Sequence, residues 1–236
     1  MGLFGKKKDG RRVNDPPFGE RPAAPPPPDP LGLPEFLARL RLGDRTPLSP
    51  AHVADAAKRL GVPLAVFRAV MLIEVGEKEA FAANGLPMVT FEPHVFAELT
   101  GGKHNAANPD VSYAEADPRR IPAAQELRWK QLAKAFVLDR EAALKATSWG
   151  MFEMLGLYHE DFGFSTVASF VASISGSEAR QLEAFEAFLH GQGLVALLKA
   201  KNWAGFAAHF GDGPQAKVYA GQLARTYKML TSRMKA

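Results

Sequence analysis

Ala69-Val70-Met71-Leu72-Ile73-Glu74-Val75 is an apolar run of helical character with one carboxylate near its end. Further on, Ser148-Trp149-Gly150-Met151-Phe152-Glu153-Met154-Leu155-Gly156 sets large apolar side chains between glycines and again includes one acid. A carboxyl held at the end of a hydrophobic helix loses hydration, and that loss raises its pKa toward neutrality. A group so tuned can donate a proton near pH 7, which makes Glu74 the first candidate for a catalytic acid. The competing reading is an exposed acid decorating a helix end.

Helix punctuation extends outward from this run. Pro63 opens the helix that carries Phe67, Val70, Ile73 and Glu74, and before it Ser49-Pro50 supply an N-cap and first-turn pair for a helix ending at Gly61. A short helix is predicted over residues 34–41, with a turn at Gly43-Asp44. Residues 1–33 are proline-rich, as in Pro25-Pro26-Pro27-Pro28-Asp29-Pro30, with few large apolar side chains, and read as a disordered or polyproline tail. One folded domain is therefore expected over 34–236. Beyond Glu74 the chain is turn-like to Gly85, and Pro87-Met88-Val89-Thr90-Phe91 is the plausible strand of that region. Residues 100–121, rich in Gly, Asn, Asp and Pro, are expected to form a long loop near the substrate. The remainder reads as helices over 122–137, 139–147 capped by Asp139, 165–175 capped by Ser165, 177–190 capped by Ser177, 193–200, 202–209 capped by Asn202, and 215–232. The expected fold class is mainly α with a small β-hairpin or sheet.

The net charge of +4 is unevenly spread. Residues 1–12 hold five basic groups against Asp9, and residues 214–236 hold five with no acid, which leaves 13–213 acidic. Basic ends suit contact with an anionic envelope polymer, or plain solvation, and argue against a basic groove for nucleic acid. In the last helix Tyr219, Leu223, Tyr227, Leu230 and Met234 form one stripe with Arg225, Lys228 and Lys235 off it, a pattern read as packing on the core. The absence of cysteine excludes disulfides, thiolate metal sites and a cysteine nucleophile. The six histidines are scattered without His-Glu-x-x-His spacing, and no phosphate-binding glycine loop or GxSxG elbow is present, so neither metal nor cofactor is expected. No apolar run approaches the roughly 20 residues of a membrane-spanning helix. The charged start Met1-Gly2-Leu3-Phe4-Gly5-Lys6-Lys7-Lys8 is followed by no hydrophobic segment, so a Sec signal is not expected.

Several strings in order carry a resemblance. Leu48-Ser49-Pro50 through Arg59-Leu60-Gly61-Val62, then Ala69-Val70 and Ile73-Glu74, Phe91-Glu92-Pro93-His94-Val95-Phe96, Ala143-Leu144-Lys145-Ala146 with Ser148-Trp149-Gly150, Leu155-Gly156, and Asn202-Trp203-Ala204-Gly205-Phe206-Ala207 are the residues concerned. Over residues 36–230 the chain resembles the N-acetylmuramidase domain of phage endolysins and related bacterial proteins, a branch of the lysozyme-like superfamily. The resemblance implies a lysozyme-like helical domain with a small sheet. It also implies peptidoglycan glycan strands as substrate, cut between N-acetylmuramic acid and N-acetylglucosamine, with the general acid falling on Glu74. A glycosidic oxygen is a poor leaving group, so protonation by a carboxylic acid is the central need of that chemistry.

The resemblance distributes further roles. Ser148, Trp149 and Gly150 fall on the family's Ser-Trp-Gly-x-x-Gln-x-x-Gly string, which forms the turn and floor of the glycan cleft; Trp149 would stack on a sugar while Gly150 lets backbone approach. For an isolated tryptophan, a plug in the core is the competing role. Glu92 and Glu153, then Glu77 and Glu79, are the candidates for a second carboxylate, although Glu92 at a helix start would serve equally as a cap. His94 would bond substrate or be structural. Three departures stand out: the usual Ser-Gly-Gly after the acid reads Val75-Gly76-Glu77-Lys78-Glu79, the usual glutamine is Glu153, and the usual Tyr-Asn-Gly-Pro is Phe210-Gly211-Asp212-Gly213-Pro214. Phe210 thus lacks a hydroxyl that a tyrosine would offer near the acid. The expected function is peptidoglycan hydrolysis, by a protein made in the cytoplasm and acting on the cell wall or periplasm through phage-type release or dedicated secretion. The alternative is a catalytically degenerate lysozyme-like module that binds cell-wall glycan or forms part of a phage or wall assembly.

Overall fold

The computed structural model describes residues 32–211 and 213–233. The expected tail over 1–33 lies almost wholly outside them, and so do Met234 of the terminal stripe and Lys235 off it. Helix α1 (Leu33–Leu40) leads to α2 (Pro50–Leu60), where Ser49 accepts from the His52 amide, Pro50 occupies the first turn and Gly61 closes the helix at φ +61°. The apolar run is α3 (Leu64–Glu74), whose residues Val66, Phe67, Val70, Met71 and Glu74 are buried on one stripe.

Three short strands follow: β1 (Val89–Phe91), β2 (Thr147–Trp149) and β3 (Met154–Leu155), antiparallel in that order. Between β1 and β2 come α4 (Pro93–Leu99), α5 (Gln125–Leu138) and α6 (Arg140–Lys145). Asp139 caps α6 as expected, but the helix predicted to reach 147 ends at Lys145, because Thr147 pairs with Phe91 and begins β2. The second half is helical: α7 (Val167–Ile174), α8 (Glu178–Gly191), α9 (Leu194–Lys199), α10 (Trp203–Ala208) and α11 (Pro214–Arg233). Ser177 and Asn202 cap α8 and α10, whereas α7 is capped by Thr166 and not by Ser165. Among the described residues, no helix is long and apolar enough to cross a membrane.

Strand alternation decides which side chains the sheet buries. Val89 pairs with Trp149 and Phe91 with Thr147, all four facing the core, while Thr90 and Ser148 pair on the opposite face. Gln125 covers the free edge of β1: its amide oxygen accepts from the Val89 N–H, and its amide nitrogen donates to the Val89 carbonyl, both at 3.0 Å. The terminal stripe packs as its periodicity predicts, with Leu223 fully buried and Tyr219 and Tyr227 half-buried, while Arg225 and Lys228 remain exposed.

One ion pair joins distant helices: Arg59 of α2 donates from Nε and a terminal nitrogen to both oxygens of Glu186 in α8, at 2.9 and 2.7 Å. The Glu186 side chain is 2% exposed and that of Arg59 43%. Arg59→Ala strands a buried carboxylate. The expected loss, reduced because the arginine is half in water, is about 2–3 kcal/mol. In a thermal melt it should read as a fall in Tm of roughly 4–12 °C.

Candidate active site

Glu74 is the last residue of α3 and sits on the buried stripe of that helix, one helical turn beyond Val70 and Met71. Its carboxyl does not face bulk water. α11 crosses α3, and the Tyr219 hydroxyl donates to Glu74 Oε1. Burial is the main influence on the acid and lifts it from 4.5 to about 7, opposed by the Tyr219 hydrogen bond and the Lys78 charge and reinforced by the Glu153 charge. Not all of the apolar run before Glu74 contributes to its dehydration. Leu72 is 47% exposed, so dehydration comes from the inner helix face and the α11 cover rather than from the Met71-Leu72-Ile73 sequence as a whole.

A cleft of about 320 Å³ begins at the turn that follows Glu74; Glu74 itself is not among its lining residues, but the charges of two that are, Lys78 and Glu153, act on its carboxyl. One wall is the turn after α3, with Glu77, Lys78 and Glu79; the floor is the polar face of the sheet, with Thr90 and Ser148; the far wall is α5, through Gln125 and Arg128. The β2–β3 turn closes one side with Gly150 and Glu153. Glu153 holds a left-handed backbone, φ +51°, unusual for a non-glycine residue. Such a conformation costs about 1 kcal/mol, persists only where the surrounding structure enforces it, and clusters at functional sites. Its carboxylate meets Lys78 Nζ at 2.7 Å, linking the hairpin to the turn after the acid.

Glu92 follows β1 and, by alternation, projects to the same side as Thr90. Burial pushes its carboxyl up to about 7, with Glu153 adding to the rise and Arg128 opposing it. Its backbone opens α4, as expected, and its side chain makes no capping hydrogen bond there. His94 Nδ1 lies 3.7 Å from Glu92 Oε2, and burial lowers the imidazole, which favours its neutral form. Among the described residues, no three His, Asp or Glu side chains are grouped to hold a metal ion.

Several expected roles change. Trp149 is fully buried, its Nε1 donates to the Leu144 carbonyl and its ring meets Trp129 edge-on at 5.9 Å; the core role wins because pairing with Val89 turns the indole inward. Gly150 does line the cleft, yet the close approach it permits on its other side is structural. A Cβ there would stand 2.3 Å from Gln181 Oε1, which accepts from the Met151 amide. Phe210 lies off the cleft, packed on Phe206 at 5.3 Å and edge-on to Tyr219 at 6.1 Å. The hydroxyl missing at 210 is supplied to the acid by Tyr219 instead. Residues 100–121 line none of the cleft; the loop's link to the site is Tyr113, whose phenol is raised chiefly by burial and in smaller part by Glu92.

Ser148, Gly150, Glu153, Glu77 and Glu79 are therefore the sequence candidates on the cleft surface; Glu74 and Glu92 do not line it, although the charge of Glu153 acts on both. Thr90, Gln125, Arg128 and Tyr219 were not anticipated. Only Tyr219 had a prior signal, as the first member of the α11 stripe.

The family model for N-acetylmuramidase matches residues 63–231. The crystal structure of Burkholderia AP3 phage endolysin is similar in fold, with a TM-score of 0.71 and 32% sequence identity over 83% of this chain and 75% of that one. A search of curated proteins finds no match. The helical frame, the buried carboxyl at the end of α3, and a family match spanning both that helix and the one covering it lead to one statement of kinship: the chain belongs to the N-acetylmuramidase family.

Proposed function

We propose that this peptidoglycan hydrolase cleaves the glycosidic bond between N-acetylmuramic acid and N-acetylglucosamine, with Glu74 as general acid. The observation that carries the reading is the Glu74 carboxyl, dehydrated enough to hold a proton near pH 7 and within reach of the charges of Lys78 and Glu153, which line a cleft that also presents Thr90, Gln125, Arg128 and Ser148. Dehydration keeps the proton on the resting enzyme. As the proton passes to the glycosidic oxygen, the Tyr219 hydroxyl and the Lys78 ammonium favour the carboxylate left behind. Positive charge developing at the anomeric carbon is favoured by the acids around the cleft. Glu92 suits activation of the attacking water: its side chain is half-buried and makes no capping hydrogen bond, whereas Glu153 is already ion-paired to Lys78.

The test is digestion of purified peptidoglycan, with the new chain ends identified by mass spectrometry. Reducing N-acetylmuramic acid ends are expected. 1,6-Anhydro ends would mean a lytic transglycosylase, and intact glycan that still retains the protein would mean a glycan-binding module.

Glu153 gives a further check. Its charge raises both Glu74 and Glu92, so Glu153→Gln should lower both and shift the alkaline limb of the pH–rate profile to lower pH. Because Glu153 and Lys78 are both partly exposed, the rate loss at pH 6 should stay within about tenfold.

A further inference from the structure

The far wall of the cleft holds a cation whose pairing is incomplete. Arg128 in the first turn of α5 is half-buried; its Nε donates to the Pro122 carbonyl at 2.7 Å, and one terminal nitrogen donates to Thr90 Oγ1 at 2.8 Å and to the Val89 carbonyl at 3.3 Å. All three acceptors are neutral. Its other terminal nitrogen makes no hydrogen bond, and no carboxylate lies within ion-pair distance of it, among the described residues. The guanidinium is thus pinned at one end, charged, and part of the cleft lining. The opposite wall carries Glu77 and Glu79, and Glu153 with its partner Lys78.

We propose that Arg128 binds a carboxylate of the substrate and thereby selects carboxylate-bearing glycan over neutral glycan of the same length. The inference rests on the muramidase reading and deepens it. Muramic acid differs from glucosamine by a lactyl ether that ends in a carboxyl group, and in peptidoglycan this group is either free or extended into a peptide that itself carries carboxylates. A planar guanidinium with a free edge suits a carboxylate, and fixing its plane in advance reduces the ordering cost of binding. The acids across the cleft repel the same group. A bound saccharide is therefore oriented with its lactyl edge toward α5 and its neutral hydroxyl and acetamide edge toward Glu77 and Glu79.

Three soluble glycan fragments of equal length separate the possibilities: one with stem peptides, one stripped of peptide so that the lactyl carboxylate is free, and the stripped fragment with that carboxyl converted to an amide. Binding is measured by calorimetry in the Glu74→Gln background, with residual cleavage followed through released reducing ends. Either carboxylate-bearing fragment should bind about tenfold tighter than the amide, and Arg128→Gln should erase that preference. Arg128→Lys, which keeps charge but loses the fork, should retain a smaller preference. Preference for the stripped acid over its amide assigns the lactyl group; preference confined to the peptide-bearing fragment assigns the stem. Equal binding of all three, or an Arg128→Gln loss shared equally by all three, overturns the proposal and leaves Arg128 as a staple between α5 and β1. Failure of the parent protein to hydrolyse peptidoglycan would overturn the muramidase reading alone, because the binding preference is measured separately.

Discussion

Glu74→Gln is expected to lower kcat on peptidoglycan by about 10²–10⁴-fold while leaving KM within about threefold of the parent. Glutamine keeps the size of the side chain and an oxygen that still accepts from the Tyr219 hydroxyl, so the α3–α11 contact survives. It lacks a proton acidic enough to give to a departing sugar oxygen. Initial rates on soluble glycan fragments, with ends identified, check the loss. Retention of more than a tenth of the parent rate would remove Glu74 from the chemistry.

The same substitution should stabilise the fold at alkaline pH. The folded carboxyl titrates near 7 and the unfolded one near 4.5. Below 4.5 both states carry the proton, so stability does not depend on this group. Between those values the folded state holds a proton that the unfolded chain has released, and stability falls as pH rises. Above 7 the fall is complete and amounts to about 3 kcal/mol. Glu74→Gln has no such fall, so at pH 8 its Tm should exceed the parent's by roughly 6–12 °C, with the difference vanishing below pH 4.5. An acid kept ready for proton transfer is here a burden on the native state, and two melting curves measure it.

Local signals were legible from sequence and long-range ones were not. Ser49-Pro50, Asp139, Ser177 and Asn202 fixed helix starts because a cap interacts within three residues of itself. The alanine-rich segment ending at Ala146 carried the helix prediction too far. Strands of three and two residues offer too little alternation to compete with it, and the residue at the boundary, Thr147, turns its side-chain hydroxyl back to donate to the Ala143 carbonyl of the preceding helix. Trp149 could not be oriented without its register opposite Val89. Glu74 was legible because its main influence, burial on the inner stripe of α3, follows from its own helix. Its partner is 145 residues away and could be assigned only in three dimensions.

Tyr219→Phe should slow hydrolysis by about 10–10²-fold and move the alkaline limb of the pH–rate profile upward. The hydroxyl donates to Glu74 and so favours the ionised carboxyl; it is the largest influence opposing burial. Without it the resting acid holds its proton to higher pH, which moves the limb up. The transition state nevertheless becomes harder to reach, because the carboxylate forming as the proton leaves has lost its donor. Phenylalanine keeps the ring contacts with Phe206 at 6.3 Å and Phe210 at 6.1 Å, so packing of α11 should be nearly unchanged and Tm should shift by only a few degrees. A purely structural tyrosine predicts the reverse pattern, with Tm falling and the pH profile staying in place. Glu153→Gln acts on the same acid with opposite sign, since it removes a raising influence where Tyr219→Phe removes a lowering one. The double variant should therefore restore most of the parent's alkaline limb without restoring its rate, because the donor that steadies the emerging carboxylate is still absent.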